Sequence, residues 1–299
     1  MSYAFDPNIS LRETVQQIAM EQLDEGLARI KAVESGPVEA VHDLRKRCKK
    51  MRALLRLVYP GRSDEVRMEK EWYRDTSVLL SDVRDAQITI EVFDQIVGSV
   101  AYPDTMPIFR DFLVSRCRVV EKREGGIDGR LKKTKERFVS GRERVLKWQL
   151  DAVCSVFLQE GFFKAYRRVV KAMRRARADP TTENYHEWRK SAKNHWYHTR
   201  LLKPLWLEEM TPYKETVFRL TDHLGNERDL FTLSEALYEM TPQEDDRNAS
   251  VWVQEQIKEK RAELRAKSIP IGEAISVWNP VPLLERVHVY WGAEIDVIS

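Results

Sequence analysis

His42, Arg45, Lys46, Lys49, Arg52 and Arg56 recur at three- and four-residue steps within VHDLRKRCKKMRALLRL, residues 41–57. The stretch carries seven lysines and arginines against one aspartate. Guanidinium groups offer paired N–H donors that match two phosphate oxygens, and ammonium groups act as mobile point charges. Such a set suits a strongly charged oxyanion. It supplies no nucleophile with a base beside it and no paired acid and base.

The same set returns further along. His186, Arg189, Lys190, Lys193 and Arg200 stand 144 residues after His42, Arg45, Lys46, Lys49 and Arg56. HDLRKRCKKMRALLRLVYP and HEWRKSAKNHWYHTRLLKP align without a gap, and the register holds as far as LSDVRD and LGNERD. Residues 42–85 and 186–229 share 13 identities in 44 positions. A register kept that long marks an internal duplication. It predicts two helical halves, 8–150 and 152–295, forming one domain over 8–299. Two large copies point to a pseudo-two-fold pair of bundles and not to a solenoid of short units.

Helices must position these cations. At about 100° per residue, His42, Arg45, Lys46, Lys49, Arg52 and Arg56 fall in an arc of about 120°. Val41, Leu44, Cys48, Met51, Leu55 and Val58 fill an opposing apolar arc. In the second copy the apolar arc holds Trp188, Ala192, Thr199 and Leu202, while Trp196 replaces Arg52 and Tyr197 replaces Ala53. Like charges stacked at i, i+3 and i+4 repel by ~0.2–0.5 kcal/mol per pair. A merely solvated face would mix in acids. The same penalty in both copies implies a compensating anion. His42 and His186, each opening a stripe, are expected to stay neutral among the cations and to gain a proton when an anion arrives.

Helical periodicity runs almost throughout, and strand signals are nearly absent. The pattern predicts an all-α chain with helices near 10–34, 37–59, 63–99, 105–123, 129–159, 161–178, 181–203, 211–240, 247–267 and 270–278. The tail 279–299, with Val281, Val287, Val289, Tyr290, Trp291 and Ile295, reads as an extended closing strap. Charge is sorted along the chain: residues 164–177 hold seven lysines and arginines and no acid, residues 205–245 hold three against ten acids. The latter stretch either docks a partner or balances the cationic walls. Net charge is only +3, so any basic site is local.

Cys48, Cys117 and Cys154 are scattered and odd in number, and read as small core hydrophobes in a reducing compartment. No Cys/His spacing suits zinc, so no metal is expected. The first residues show no basic-then-apolar leader, and no apolar run is long enough to span a membrane. A cytoplasmic location is the expectation.

The pattern His-x-x-Arg-Lys-x-x-Lys, followed about 35 residues later by Leu-x-x-x-Arg-Asp and present twice in a helical chain, resembles the CHAD domain, the conserved histidine α-helical domain. FFKAYRRVVKAMRRARADP, just before the second copy, is similar to the family as well. The resemblance covers nearly the whole chain. It implies two four-helix bundles related by a pseudo-two-fold axis, with basic helices lining a central groove or pore. It also implies non-catalytic binding of inorganic polyphosphate, or of sulfate or phosphate ions in its place, at polyphosphate granules, with no cofactor and no membrane. Carried onto this chain, the lining is His42, Arg45, Lys46, Lys49, Arg52 and Arg56 with His186, Arg189, Lys190, Lys193 and Arg200. Within the basic face Arg167, Arg168, Lys171, Arg174 and Arg175, the residues Arg168 and Arg175 add a third wall. Arg84, Asp85, Arg228 and Asp229 are expected to act as structural support, each Asp buttressing a basic side chain of its own half. Two rival readings stand beside this one. Trp188, Trp196 and Tyr197 could stack bases of a nucleic acid, and the protein could metabolise polyphosphate, although no Gly-rich phosphate loop or catalytic cluster supports that.

Overall fold

The computed structural model describes residues 3–32, 37–59, 61, 64–98, 106–148, 155–240 and 246–292. Among these residues there are eleven α-helices and no strand. In the first half they are α1 (Leu11–Lys31), α2 (Pro37–Val58), α3 (Asp64–Val78), α4 (Ser81–Val97), α5 (Met106–Lys122) and α6 (Gly126–Val145). In the second half they are α7 (Ser155–Ala178), α8 (Thr182–Leu202), α9 (Leu207–Tyr238), α10 (Arg247–Val277) and α11 (Val281–Trp291). None of these helices is long and apolar enough to cross a membrane.

The apolar arcs set how α2 and α8 lie. Val41, Leu44, Cys48, Met51, Leu55 and Val58 are buried, as are Trp188, Ala192, Thr199 and Leu202. Burial of such side chains contributes ~1.5–3 kcal/mol each, which fixes the rotation of each helix and so the direction of its cations. Helix α2 packs against α1 and α3, and α8 against α7 and α9. The two halves meet where α2 contacts α7 and α8 and where α4 contacts α9. At the α2–α7 crossing a Cβ on Gly161 would overlap the Leu57 carbonyl, so only glycine allows the two backbones to approach this closely. A second apolar cluster, including Phe93, Phe109, Leu233 and Val253, joins α4 and α5 to α9 and α10.

Four expectations are corrected. The helix expected over 63–99 breaks into α3 and α4. Buried Arg130 of α6 takes up the Leu79 carbonyl at 3.1 Å and pairs with Asp82, so the backbone can turn there. The boundary expected near 160 is displaced: α6 ends at Val145, and α7 starts at Ser155 instead of residue 161. The pieces expected at 247–267 and 270–278 form one helix through Pro270. Buried Ser268 and Ile275, with Gly272 seated under Trp188, hold the helix together against the roughly 3 kcal/mol a mid-helix proline costs. The tail expected to be extended is helical over α11, because Leu283, Val287 and Trp291 bury at four-residue spacing while Val289 faces outward. Ile295, Cys154, and the expected junction between the halves at 150–152 lie outside the described residues.

Candidate functional site

The rotation of α2 and α8 points both cationic stripes into one cavity of about 630 Å³. His42, Arg45, Lys46 and Lys49 line it from α2, and His186, Arg189 and Lys193 from α8. Arg84 and Asp85 of α4 and Arg228 and Asp229 of α9 complete the ring. A smaller cavity of about 150 Å³ adjoins it, sharing Lys49, Arg189, Lys193 and Tyr197 and adding Arg52, Arg56 and Lys190. Ten lysines and arginines line the two cavities together.

The cations raise one another's energy. Burial pushes the Lys49 ammonium down to about 8, helped by Arg45, Arg189 and Lys193, two of which belong to the opposite half. Burial and the charges of Arg189, Arg200 and Lys46 bring Lys193 down to about 8 as well. Arg56 falls to about 10 through burial and the nearby Arg52 and Arg168. His42 and His186 both titrate below the ordinary histidine range, chiefly through burial, then through Arg84 and Arg189 respectively. Both rings are therefore neutral near pH 7 in the free protein. Among the described residues, buried nitrogens of Arg45 (Nη1), Arg52 (Nε), Arg84 (Nε), Arg189 (Nε) and His186 (Nδ1) find no hydrogen-bond partner. The four guanidinium nitrogens are donors without an acceptor.

Carboxylates hold some of these cations in place. Asp85 pairs with Arg45 at 3.8 Å. Asp229, whose own carboxyl is raised by burial, acts electrostatically on Arg189. Arg84 makes two hydrogen bonds to Glu91, at 2.8 and 3.2 Å, and Arg228 reaches Glu235 at 4.0 Å. Glu91 and Glu235 are again 144 residues apart. The acidic stretch 205–245 is engaged within the chain in several places: Glu239 binds Arg116 at 2.8 Å, and Glu209 accepts from the Trp278 indole at 3.0 Å.

Three expected site residues lie outside both cavities. The Arg200 guanidinium sits over the rings of Trp196 and Tyr3, at 5.0 and 5.5 Å, because the N-terminal segment packs there. Arg168 lines a separate groove of about 750 Å³ on α7, with Arg167, Lys171 and Arg174. It is close enough to Arg56 to help lower that residue's pKa. Arg175 stands two turns further along α7, ~10 Å beyond Arg168, and lines neither the groove nor the cavities. Lys190 is more than half exposed and pairs with Glu187 at 2.5 Å.

A wall that no cation pattern marks comes from α9: Phe218, Thr221, Asp222, Gly225, Asn226 and Thr232. These residues are uncharged or acidic, so a search for cations passes over them. The signal was present in the three-four spacing that runs back from Arg228 and Asp229. Among the described residues no group of three or more metal-ligating side chains occurs.

No curated protein matches the chain. The crystal structure of the CHAD domain from the plant Ricinus communis resembles it in fold, with a TM-score of 0.58 over 96% of this chain and 95% of that one at 14% identity. The CHAD domain model matches residues 17–238, a span that holds both His-x-x-Arg-Lys patterns and both Arg-Asp pairs, and the protein belongs to the CHAD domain family.

Proposed function

We propose that this protein binds inorganic polyphosphate without transforming it, as a linear polyanion held in a basic groove between two pseudo-two-fold-related helical bundles. Granules of polyphosphate are its site of action on this reading. The observation that carries it is the meeting of two duplicated cationic stripes at Lys49, Arg189 and Lys193, where each charge disfavours the others and carboxylates are too few to offset them. A chain of phosphates offers about one charge per unit and no base edges. A rigid ladder of arginines and lysines matches it without a hydrogen-bond code.

The test is retention on immobilised long-chain polyphosphate across a salt series. With up to ten cations engaged, log K against log salt falls with a slope between about −4 and −7, at roughly −0.7 per neutralised phosphate. A flat salt dependence contradicts the proposal. So does displacement of polyphosphate by single-stranded nucleic acid at equal phosphate concentration, which assigns the groove to nucleic acid instead.

The depressed lysines give a second expected result. In the free protein Lys49 and Lys193 lose their charge as pH rises through about 8. A bound polyanion favours the charged forms, so binding takes up protons and affinity falls above about pH 8, by at most about two log units per pH unit. His42 and His186 act in the same direction at lower pH: their free-state values lie below 6.5, so affinity rises further as pH falls through that region. Calorimetry in buffers of different ionisation enthalpy counts the protons; zero uptake at pH 8.5 removes the two lysines from the contact.

A further inference from the structure

Equivalent positions of the two sequence copies differ in chemistry beside the large cavity. Where the first half has Arg52, the second has Trp196; where the first has Arg74, the second has Phe218. These are neighbours in both halves. The Arg74 charge bears on Arg52, and the Trp196 and Phe218 rings lie 5.7 Å apart. A pair of cations in one copy is thus a pair of aromatics in the other, and only the aromatic pair lines the large cavity. Phe218 is 41% exposed, so it is not core packing, and the buried Trp196 indole N–H finds no acceptor among the described residues.

One turn beyond Phe218, Asp222 also faces the cavity, and Asn226 follows a turn later with its amide 3.4 Å from the Asp222 carboxylate. A carboxylate repels phosphate but accepts hydrogen bonds from sugar hydroxyls. This wall therefore suits a flat ring carrying neutral donors, while the α2 stripe suits phosphates. The volume, about 630 Å³, lies in the range of small-molecule sites, roughly 300–1,000 Å³.

The geometry points to a nucleoside oligophosphate as a ligand of this cavity, its phosphates between Lys49 and Arg189 and its base against the exposed Phe218 ring. This rests on the reading of the cavity as a phosphate-chain site and names a ligand class for it. Polyphosphate and a nucleotide then compete for the same cations.

Calorimetric titration of ATP and of tripolyphosphate, with chelator present, tests the assignment. Both ligands carry three phosphates; only ATP has a nucleoside. ATP binds roughly tenfold tighter, as expected for one stacked base. Phe218→Ala lowers ATP affinity about tenfold and leaves tripolyphosphate within about twofold. Phe218→Arg, which installs the residue type of the first copy, reverses the preference. Equal or tighter binding of tripolyphosphate by the wild type, or equal weakening of both ligands by Phe218→Ala, overturns the nucleoside assignment. If long-chain polyphosphate still binds in that case, the polyphosphate reading stands alone. If the wild type binds none of the three ligands, both fall.

Discussion

Lys49→Glu combined with Lys193→Glu abolishes binding of long-chain polyphosphate while the far-UV circular dichroism stays that of the wild type. These two ammonium groups line both cavities, one from each half, so the phosphate chain cannot pass from one cavity to the other without meeting them. A hydrogen bond to a charged group contributes about 1.5–3 kcal/mol, and reversal replaces that attraction with repulsion. A loss of at least a hundredfold, about 3 kcal/mol, follows for the pair. The fold should not suffer. Each lysine is already disfavoured by burial and by neighbouring arginines, so a carboxylate at either position relieves repulsion among Arg45, Arg189 and Arg200. The variant is expected to melt at or above the wild-type temperature. Lys49→Ala with Lys193→Ala gives the same direction of change without new charges. Binding within threefold of wild type in either variant would take these residues out of the site.

That opposition of binding and stability also explains how much was readable in advance. The stripes of α2 and α8 were legible because a helix converts spacing into direction: burying Val41, Leu44 and Cys48 leaves Arg45 and Lys49 only one way to point. The sequence carries the same spacing a second time, 144 residues on. Features set by distant residues were not legible. The turn between α3 and α4 depends on Arg130, some fifty residues downstream, reaching the Leu79 carbonyl. The run of α10 through Pro270 depends on Trp188 covering Gly272. In α11 the β-branched Val281, Val287 and Val289 suggested extended chain, yet local propensity yielded to burial of Leu283, Val287 and Trp291. Cations that line the two cavities were legible by type, whereas Arg200, Arg168 and Arg175 lie outside both. The aromatic and acidic residues of α9 were not legible, because their role comes only from the cavity they face.

Glu227→Ala is expected to do the reverse of the lysine reversals, lowering stability while leaving polyphosphate affinity at temperatures well below melting almost unchanged. Glu227 neighbours Arg228 in sequence but points away from the cavity, and only 3% of its side chain is exposed. One carboxylate oxygen accepts from Arg261 at 2.9 Å and from Arg265 at 2.8 Å, both on α10. The same two guanidinium groups reach the Thr182 hydroxyl at 3.1 and 3.3 Å, and Arg265 also donates to the Pro180 carbonyl at 2.9 Å. One buried acid thus ties α9, α10 and the start of α8 together. Removing it leaves two cations side by side with no other counter-charge among the described residues, which costs about 3 kcal/mol, the low end for a broken buried pair because each arginine remains about a fifth exposed. For a chain of this size that is roughly a 5 °C drop in melting temperature. A calorimetric scan reads the drop directly, and a change under 2 °C would mean that the arginines find water as readily as they found Glu227. The contrast with Lys49 and Lys193 has one physical root. Where acid and base are matched, the charges hold the helices in place. Where bases stand unmatched, they destabilise the free protein and leave that free energy to be recovered when an anion binds.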